Sequence, residues 1–262
     1  MSFDPAAVHS LRRIFEQAFV VHDIAEPIVS FDDSASADEV KRFMESKRFE
    51  IVGIRKAGEI LGYVHQDELG TGRCGDYLMR FDDKQIVSDT LPLNDLILCL
   101  KDNRRLFVSV FGRVGGIVSR SDLQKPPVRM WLFGVVTLIE MRFGRLIEIY
   151  CAVDEWKEYL SEGRLNKAED LLQERKRRNQ DLNLVDCLQF SDKAQIVSRN
   201  VNLREKTRFE SRKRLEKTAK MIERLRDNLA HSQDIITTDW ETIVALSENL
   251  DRVLDGPPGL QE

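Results

Sequence analysis

Near the C-terminus, Arg226-Asp227-Asn228-Leu229-Ala230-His231 sets a guanidinium and an imidazole five positions apart, with a carboxylate and an amide between them. Cleaving an RNA phosphodiester without a metal needs one group that titrates near neutral pH and one fixed positive charge at the phosphate. In that chemistry His231 acts as general base on the 2′-hydroxyl or as acid at the leaving 5′-oxygen, and Arg226 stabilises the pentavalent transition state. Asn228 would position phosphate or histidine, and Asp227 would orient a basic group. Residues five apart on an ideal helix are separated by ~140° around its axis, so one chain makes half a site. A twofold dimer that joins two copies of the helix would surround one phosphate with two arginines and two histidines. The competing reading of His231 is a polar residue that ends its helix near the macrodipole's negative end.

These residues must be carried by a long helix, and the chain ahead of them is basic. From Arg199 to Arg226 there are eleven Lys or Arg (199, 204, 206, 208, 212, 213, 214, 217, 220, 224, 226) against four Glu (205, 210, 216, 223). A thin apolar stripe, Phe209, Leu215, Ile222, Leu225 and Leu229, keeps one side inside, and the other side is electropositive. Such a face attracts phosphate backbones without sequence preference. The alternative is a solvated face held by pairs such as Glu205 with Arg208 and Glu216 with Lys220. A second cluster, Arg175 to Arg178, closes a helix, where cations are favoured.

Beyond Lys125-Pro126-Pro127, Gly and Pro become scarce until Gly256-Pro257-Pro258, and the apolar spacing turns from two to roughly 3.6. The pattern predicts helices over 128–160, 164–179, 182–199 with an interruption near Phe190-Ser191, 203–232 and 238–254. An all-α bundle follows. Its first helix is apolar around much of its circumference, from Trp131 to Ile147, which implies burial in the bundle and against a partner chain or the N-terminal half. The Arg-x4-His spacing, the polar residue after the arginine and the place on the penultimate helix of a bundle resemble the HEPN superfamily (higher eukaryotes and prokaryotes nucleotide-binding). That resemblance implies a homodimeric, metal-independent endoribonuclease whose active site lies at the dimer interface and which leaves a 2′,3′-cyclic phosphate.

Residues from about 20 to 125 read as one unit written twice. The first copy has a helix with Val40, Phe43 and Met44, a strand Ile51 to Ile54, a turn at Ala57-Gly58-Glu59 and a strand Ile60 to Val64. The second has Leu96, Cys99 and Leu100, then Phe107 to Val110, a turn around Gly112-Arg113, and Gly116-Ile117-Val118. Adding 56 takes Val40, Met44 and Val52 onto Leu96, Leu100 and Val108, and adding 54 takes Gly62, Val64 and Leu69 onto Gly116, Val118 and Leu123. The sequence therefore places the length difference in the strand-to-strand turn.

This pattern, ending in Gly116-Ile-Val-Ser119-Arg-Ser-Asp122-Leu, resembles the CBS domain (named for cystathionine β-synthase), which works as a tandem pair. The resemblance implies an adenine-nucleotide ligand of the AMP, ADP or ATP type, with Ser119 at phosphate and Asp122 accepting from ribose hydroxyls. It also implies that backbone of Ser88, Thr90 and Leu91, ahead of the helix, lies against the base. The first copy departs, with His65 at the Ser position and Glu68 at the Asp position. The bland reading of Ser119 and Asp122 is a capping box, which stabilises a helix start without a ligand.

Forty basic against 44 acidic side chains exclude a general nucleic-acid coat protein or a polybasic membrane protein. Cys74, Cys99, Cys151 and Cys187 form no Cys-x-x-Cys pair, which fits reduced, mostly buried thiols. The longest apolar run, Met130 to Ile139, is about half of the ~20 residues a membrane span needs. No secretory signal is visible after Phe3-Asp4-Pro5, so the expected compartment is cytoplasmic. The expected fold is an α+β N-terminal CBS pair over 1–125, an all-α HEPN-like bundle over 126–255 and a tail over 256–262. The expected function is an adenine-nucleotide-responsive endoribonuclease acting on RNA as a homodimer, with no metal and no membrane, in a stress or phage-defence role by analogy only. The rival is a non-enzymatic nucleotide sensor or dimerisation scaffold. Nucleotidyl transfer ranks last, because no Gly-Ser-x10-Asp-x-Asp pattern occurs.

Overall fold

The computed structural model describes residues 13, 15, 17–207 and 209–250. The pairing of Glu205 with Arg208, the last residues of the bundle and the tail lie outside them. Contacts divide the chain into two units, Phe19–Val128 and a second formed by residues from Arg129 onward together with those before Phe19.

The first unit is α+β and is the repeat made visible. A short strand β2 (Ser30–Asp32), helix α1 (Ala37–Lys47) and the hairpin β3 (Ile51–Lys56) and β4 (Glu59–His65) form the first copy. Strand β6 (Ile86–Ser88), helix α2 (Leu93–Asp102), β7 (Arg105–Val110) and β8 (Arg113–Ser119) form the second. Each copy sits in a four-stranded sheet closed by a two-residue edge strand, β5 (Met79–Arg80) on β4 and β1 (Glu26–Pro27) on β8. Phe81, Tyr63 and Phe107 pack together in the core that joins the copies, with centroids 4.4 to 5.9 Å apart.

Strand register corrects the sequence alignment of the two copies. Ile51 pairs with His65 and Arg105 with Ser119, both pairs being 54 apart from copy to copy, and each hairpin carries an irregularity at the same place, Ile54/Arg55 and Val108/Ser109. Val52 therefore matches Leu106 and not Val108. The turns match too, with Ala57-Gly58 and Phe111-Gly112 all at positive φ, the conformation that suits the twist of a two-residue hairpin. The offset of 56 holds for α1 onto α2 and for β2 onto β6, so the length difference falls between helix and strand, not in the hairpin. Its cause is local. Helix α1 ends on Arg48 in the left-handed region, whose N–H returns to Glu45 and Met44, whereas α2 ends on extended Asn103.

The second unit is helical among its described residues: α3 (Pro126–Tyr150), α4 (Glu162–Arg177), α5 (Phe190–Arg199), α6 (Val201–Lys206), α7 (Arg212–Ala230) and α8 (Ile235–Glu248). Three expected helices are shorter than the apolar spacing implies. The first stops at Tyr150, because Glu155 accepts from the Ala152 N–H and Asp154 takes a left-handed φ of 68°; a 3-10 turn covers Glu155–Tyr159. The third is a 3-10 turn at Leu184–Cys187 followed by α5, whose break precedes Phe190. The expected 203–232 helix is two, since Thr207 turns its hydroxyl back onto the Arg204 carbonyl and Ser211 restarts the helix as a cap for Arg214. The last begins at Ile235, where Asp234 caps Ile236 and Thr237.

Trp131, Leu132, Val135, Val136, Ile139 and Ile147 of α3 are almost fully buried, and Phe143 stacks on Phe190 of α5. Leu215, Ile222, Leu225 and Leu229 of the expected stripe are buried, joined by Ala219, whereas Phe209 lies ahead of α7 and is half-buried. No helix among the described residues is long and apolar enough to cross a membrane. All four cysteines are free, two buried and two half-buried, and burial pushes each thiol pKa up, which suppresses the reactive thiolate.

Candidate functional site

Helix α7 delivers Arg226 to the side of α3 and ends at His231. The Arg226 guanidinium lies 3.8 Å from a carboxylate oxygen of Glu140 and 3.8 Å from Asp227, and its side chain is 34% exposed. The other oxygen of Glu140 is 3.2 Å from Nζ of Lys193, which is buried. An acid in the apolar run of α3 needs compensation when water is withdrawn, and Glu140 obtains it from two cations on two helices. Arg226 is thus steered by α3 while its side chain stays partly exposed.

Asn228 belongs to a different set. Its amide donates to Asp239 on α8 at 2.7 Å and approaches the Thr238 hydroxyl at 3.4 Å. The Asp239 carboxylate is wholly buried and also accepts from Arg224 Nε at 2.9 Å and from Thr238 at 2.8 Å. This network ties α7 to α8. It absorbs the amide that would otherwise have positioned phosphate or histidine.

His231 is the C-cap of α7, with its N–H on the Asp227 carbonyl at 3.0 Å. Its side chain is exposed and has no hydrogen-bond partner among the described residues. The turn that follows is held by Arg129, which donates to the Gln233 carbonyl, while the Gln233 side chain donates to the His231 carbonyl at 3.1 Å. The structure therefore brings Arg226 to Asp227 and Asn228 to Asp239, and leaves the His231 imidazole in solvent at the end of the same helix. Sequence reasoning missed Glu140, Asp239, Arg129 and Lys193. A lone charge inside or bounding an apolar stretch was the available signal, since such a group must find a partner.

The basic approach to this site is narrower than its charge count. Arg212 pairs with Glu216 at 2.7 Å, Arg214 with Glu210 at 2.7 Å and Arg224 with Asp239. Glu216 selects Arg212 and not Lys220, and the Arg212 hydrogen bond is the main reason its pKa is lowered. Lys213, Lys217 and Lys220 remain exposed without an ion pair among the described residues and fall on one stripe of α7.

In the first unit, Asp122 is half-buried, and both its oxygens are engaged. Oδ2 accepts the Ser119 N–H at 2.7 Å and the Ser119 hydroxyl at 2.9 Å, and Oδ1 lies 2.8 Å from Lys125 Nζ. Lys125 also donates to Glu26 and the Ile24 carbonyl. Burial opposes the Lys125 charge, yet the hydrogen bonds it donates to Asp122 and Glu26 outweigh it and raise its pKa. The turn after Ser119 is a five-residue 3-10 helix, Arg120–Gln124, in which Asp122 reaches back to the Ser119 N–H while the Ser119 hydroxyl donates to Asp122 and makes no cap.

Ser88, Thr90 and Leu91 stand apart from Ser119 in the same sheet. Ser88 pairs with Ser109 and Ser119 with Arg105, which puts them four residues apart along β7, about 13 Å at the rise of a strand. Ser88 and Thr90 bond each other at 2.9 Å, and the Leu91 carbonyl accepts from Val21. In the first copy, His65 caps Asp67 through Nδ1 at 3.4 Å, and Glu68 is exposed. Among the described residues no cluster of His, Cys, Asp and Glu could hold a metal.

No family model matches the sequence, and no curated protein matches it. Solved structures do. CBSX2 in complex with AMP is similar at 19% identity, covering 40% of this chain and 92% of that chain, with a TM-score of 0.35. A putative acetoin utilization protein (AcuB) from Vibrio cholerae is similar at 19% identity, covering 40% and 86%, with a TM-score of 0.36. The CBS domain of a bacterial CNNM/CorC family Mg2+ transporter in complex with ATP is similar at 14% identity, covering 46% and 94%, with a TM-score of 0.36. Less than half of this chain is covered in each case.

Proposed function

We propose that the chain is a metal-independent endoribonuclease that acts as a homodimer and responds to an adenine nucleotide. The observation that carries this reading is the pairing of unlike environments on α7. Arg226 is steered by Glu140 yet its side chain stays 34% exposed, while His231, five residues on, offers an imidazole in solvent with no partner among the described residues. Guanidinium and imidazole are the two groups that phosphodiester cleavage needs, and the lysine stripe of Lys213, Lys217 and Lys220 leads a polyanion towards them. The second copy is assigned to an apolar face beside the motif. Met130 and Phe133 of α3 are 61% and 49% exposed and line a groove of about 500 Å³ with Leu229.

The adenine nucleotide is placed at the end of β8, where Ser119 and Asp122 stand. Binding there requires Asp122 to exchange Lys125 or Ser119 for ribose hydroxyls, so Lys125 competes with the ligand. The AMP and ATP complexes of the similar structures supply the ligands to titrate.

The test is incubation of the purified chain with mixed RNA in excess chelator, with and without AMP or ATP. Cleavage that ends in a 2′,3′-cyclic phosphate and drops at least ~100-fold in both His231→Ala and Arg226→Ala is the expected result. Cleavage that persists in both variants, or is absent under every nucleotide condition, overturns it. The rival reading, a non-enzymatic nucleotide sensor or scaffold, is favoured by the Arg224, Asn228 and Asp239 network, which serves packing of α7 on α8.

A further inference from the structure

Glu140 holds two cations with one charge, and the two holds are unequal. One oxygen is 3.2 Å from Nζ of Lys193 on α5, and the other is 3.8 Å from a guanidinium nitrogen of Arg226 on α7. The first contact is close to hydrogen-bond length and the second is beyond it. Burial explains the order. The Lys193 side chain is 8% exposed, so it has given up its water and must be paired, whereas Arg226 keeps part of its hydration. The Lys193 stem runs beside Gly144, one turn on from Glu140 along α3, where an added Cβ would meet its Cε at 3.8 Å. Asp192, its chain neighbour, is held by Arg164 of α4 and by the Gln189 N–H. Among the described residues Glu140 is therefore the one acid within ion-pair distance of Lys193.

Lys193 and Glu140 thus neutralise each other inside the bundle. The guanidinium left over is the member of the cluster that water, and hence a phosphate, can reach. Asp227 also stands 3.8 Å from Arg226 but is 61% exposed, where solvent screens it. Without Lys193 the half-buried Glu140 carboxylate would have only Arg226 to satisfy it, and the guanidinium would be drawn onto α3 and away from a ligand.

We infer that Lys193 is a positioning residue that acts through Glu140: by occupying that carboxylate it keeps the Arg226 guanidinium available to an RNA phosphate. The inference rests on the proposed reading, in which Arg226 meets that phosphate, and adds a buried residue that RNA does not touch.

Fluorescence anisotropy of the full chain with a labelled 2′-O-methyl oligoribonucleotide, in chelator, measures binding without cleavage, because the attacking 2′-hydroxyl is blocked. Lys193→Met is expected to weaken binding roughly 3- to 10-fold, the scale of one partly exposed charge-assisted contact. It should have no effect in the Arg226→Ala background. Adding Glu140→Gln to Lys193→Met removes the competing carboxylate and should return affinity to at least that of the parent. Damaged packing alone would give neither the silence without Arg226 nor the recovery. Thermal melts of each variant establish folding. The Glu140→Gln, Lys193→Met pair leaves no unpaired buried charge and keeps the test decisive if Lys193→Met alone does not fold: it should bind at least as tightly as the parent and lose that affinity on Arg226→Ala. Equal weakening by Lys193→Met with and without Arg226 overturns the inference, as does a double variant that binds as poorly as Arg226→Ala. So does binding that Arg226→Ala leaves unchanged. Cleavage of unmodified RNA is followed in parallel. A parent that binds in the expected order but does not cut removes the ribonuclease reading alone, whereas Arg226-dependent cutting with affinities indifferent to Lys193 removes this inference alone.

Discussion

Asp239 and Arg224 illustrate how a buried charge is tolerated and what its loss does. The carboxylate is inaccessible, whereas the arginine side chain is 56% exposed, so the two partners are unequal. Arg224→Ala leaves a buried negative charge with only amide and hydroxyl donors and is expected to cost about 2 kcal/mol, below the range for fully buried pairs because water reaches one side. Asp239→Asn removes the charge, keeps the shape, and should cost less, since Arg224 can turn to solvent. Urea unfolding of the two variants checks the order, and a larger loss in Asp239→Asn would mean that the carboxylate's own charge and acceptor bonds, not its need for Arg224, hold α7 to α8. Glu216 gives a pH-dependent counterpart. Its folded pKa lies below the ordinary 4.5, through the Arg212 hydrogen bond first, so its contribution is present above 4.5 and disappears as pH falls through the lower folded value. Glu216→Gln should therefore cost about 0.5 kcal/mol near neutral pH, where an exposed pair is screened, and nothing near pH 2. Stability against urea at the two pH values decides it.

At the scale of elements, the glycines of the hairpins record the repeat most sharply. A Cβ on Gly62 would stand 2.1 Å from the Met79 carbonyl oxygen, because β5 closes the first sheet against that position. The equivalent Gly116 faces β1 more loosely, with the Glu26 carbonyl 3.2 Å from its Cβ position. Gly62→Ala should detach β5 and lower stability by roughly 2 kcal/mol or more, while Gly116→Ala should cost about 1 kcal/mol or less; paired thermal melts with hydrogen exchange at Met79 and Arg80 measure both. The duplicated unit was legible because strand alternation and Gly spacing are local patterns, although Val52 was matched two residues off. That slip arose from the left-handed end of α1 at Arg48, which sequence spacing does not reveal. Helix ends were harder for the same reason. Glu155, Thr207 and Ser211 compete for backbone groups through side chains, and the apolar period runs on past them. In the motif, the hydrogen bonding of Asn228 was not readable, because its partner Asp239 lies on another helix.

At the scale of the molecule, one chain presents one Arg226 and one His231 on sides of α7 that helix geometry holds well apart, so activity on a single phosphate calls for a second copy. The exposed Met130 and Phe133 lie on the apolar groove that includes Leu229, the face proposed above for association. Met130→Glu with Phe133→Glu should therefore shift the sedimentation coefficient from dimer to monomer at micromolar concentration and remove RNA cleavage together, with helical circular dichroism unchanged. Both side chains already face solvent in the single chain, so charging them leaves its core intact. Mixing Arg226→Ala chains with His231→Ala chains probes the same geometry from the other side. Each mixed dimer retains one guanidinium and one imidazole, and partial recovery of cleavage above either variant alone is expected if the pocket is shared. Two inactive preparations that stay inactive when mixed, while the charged-face variant still cleaves as a monomer, would place the whole reaction within one chain.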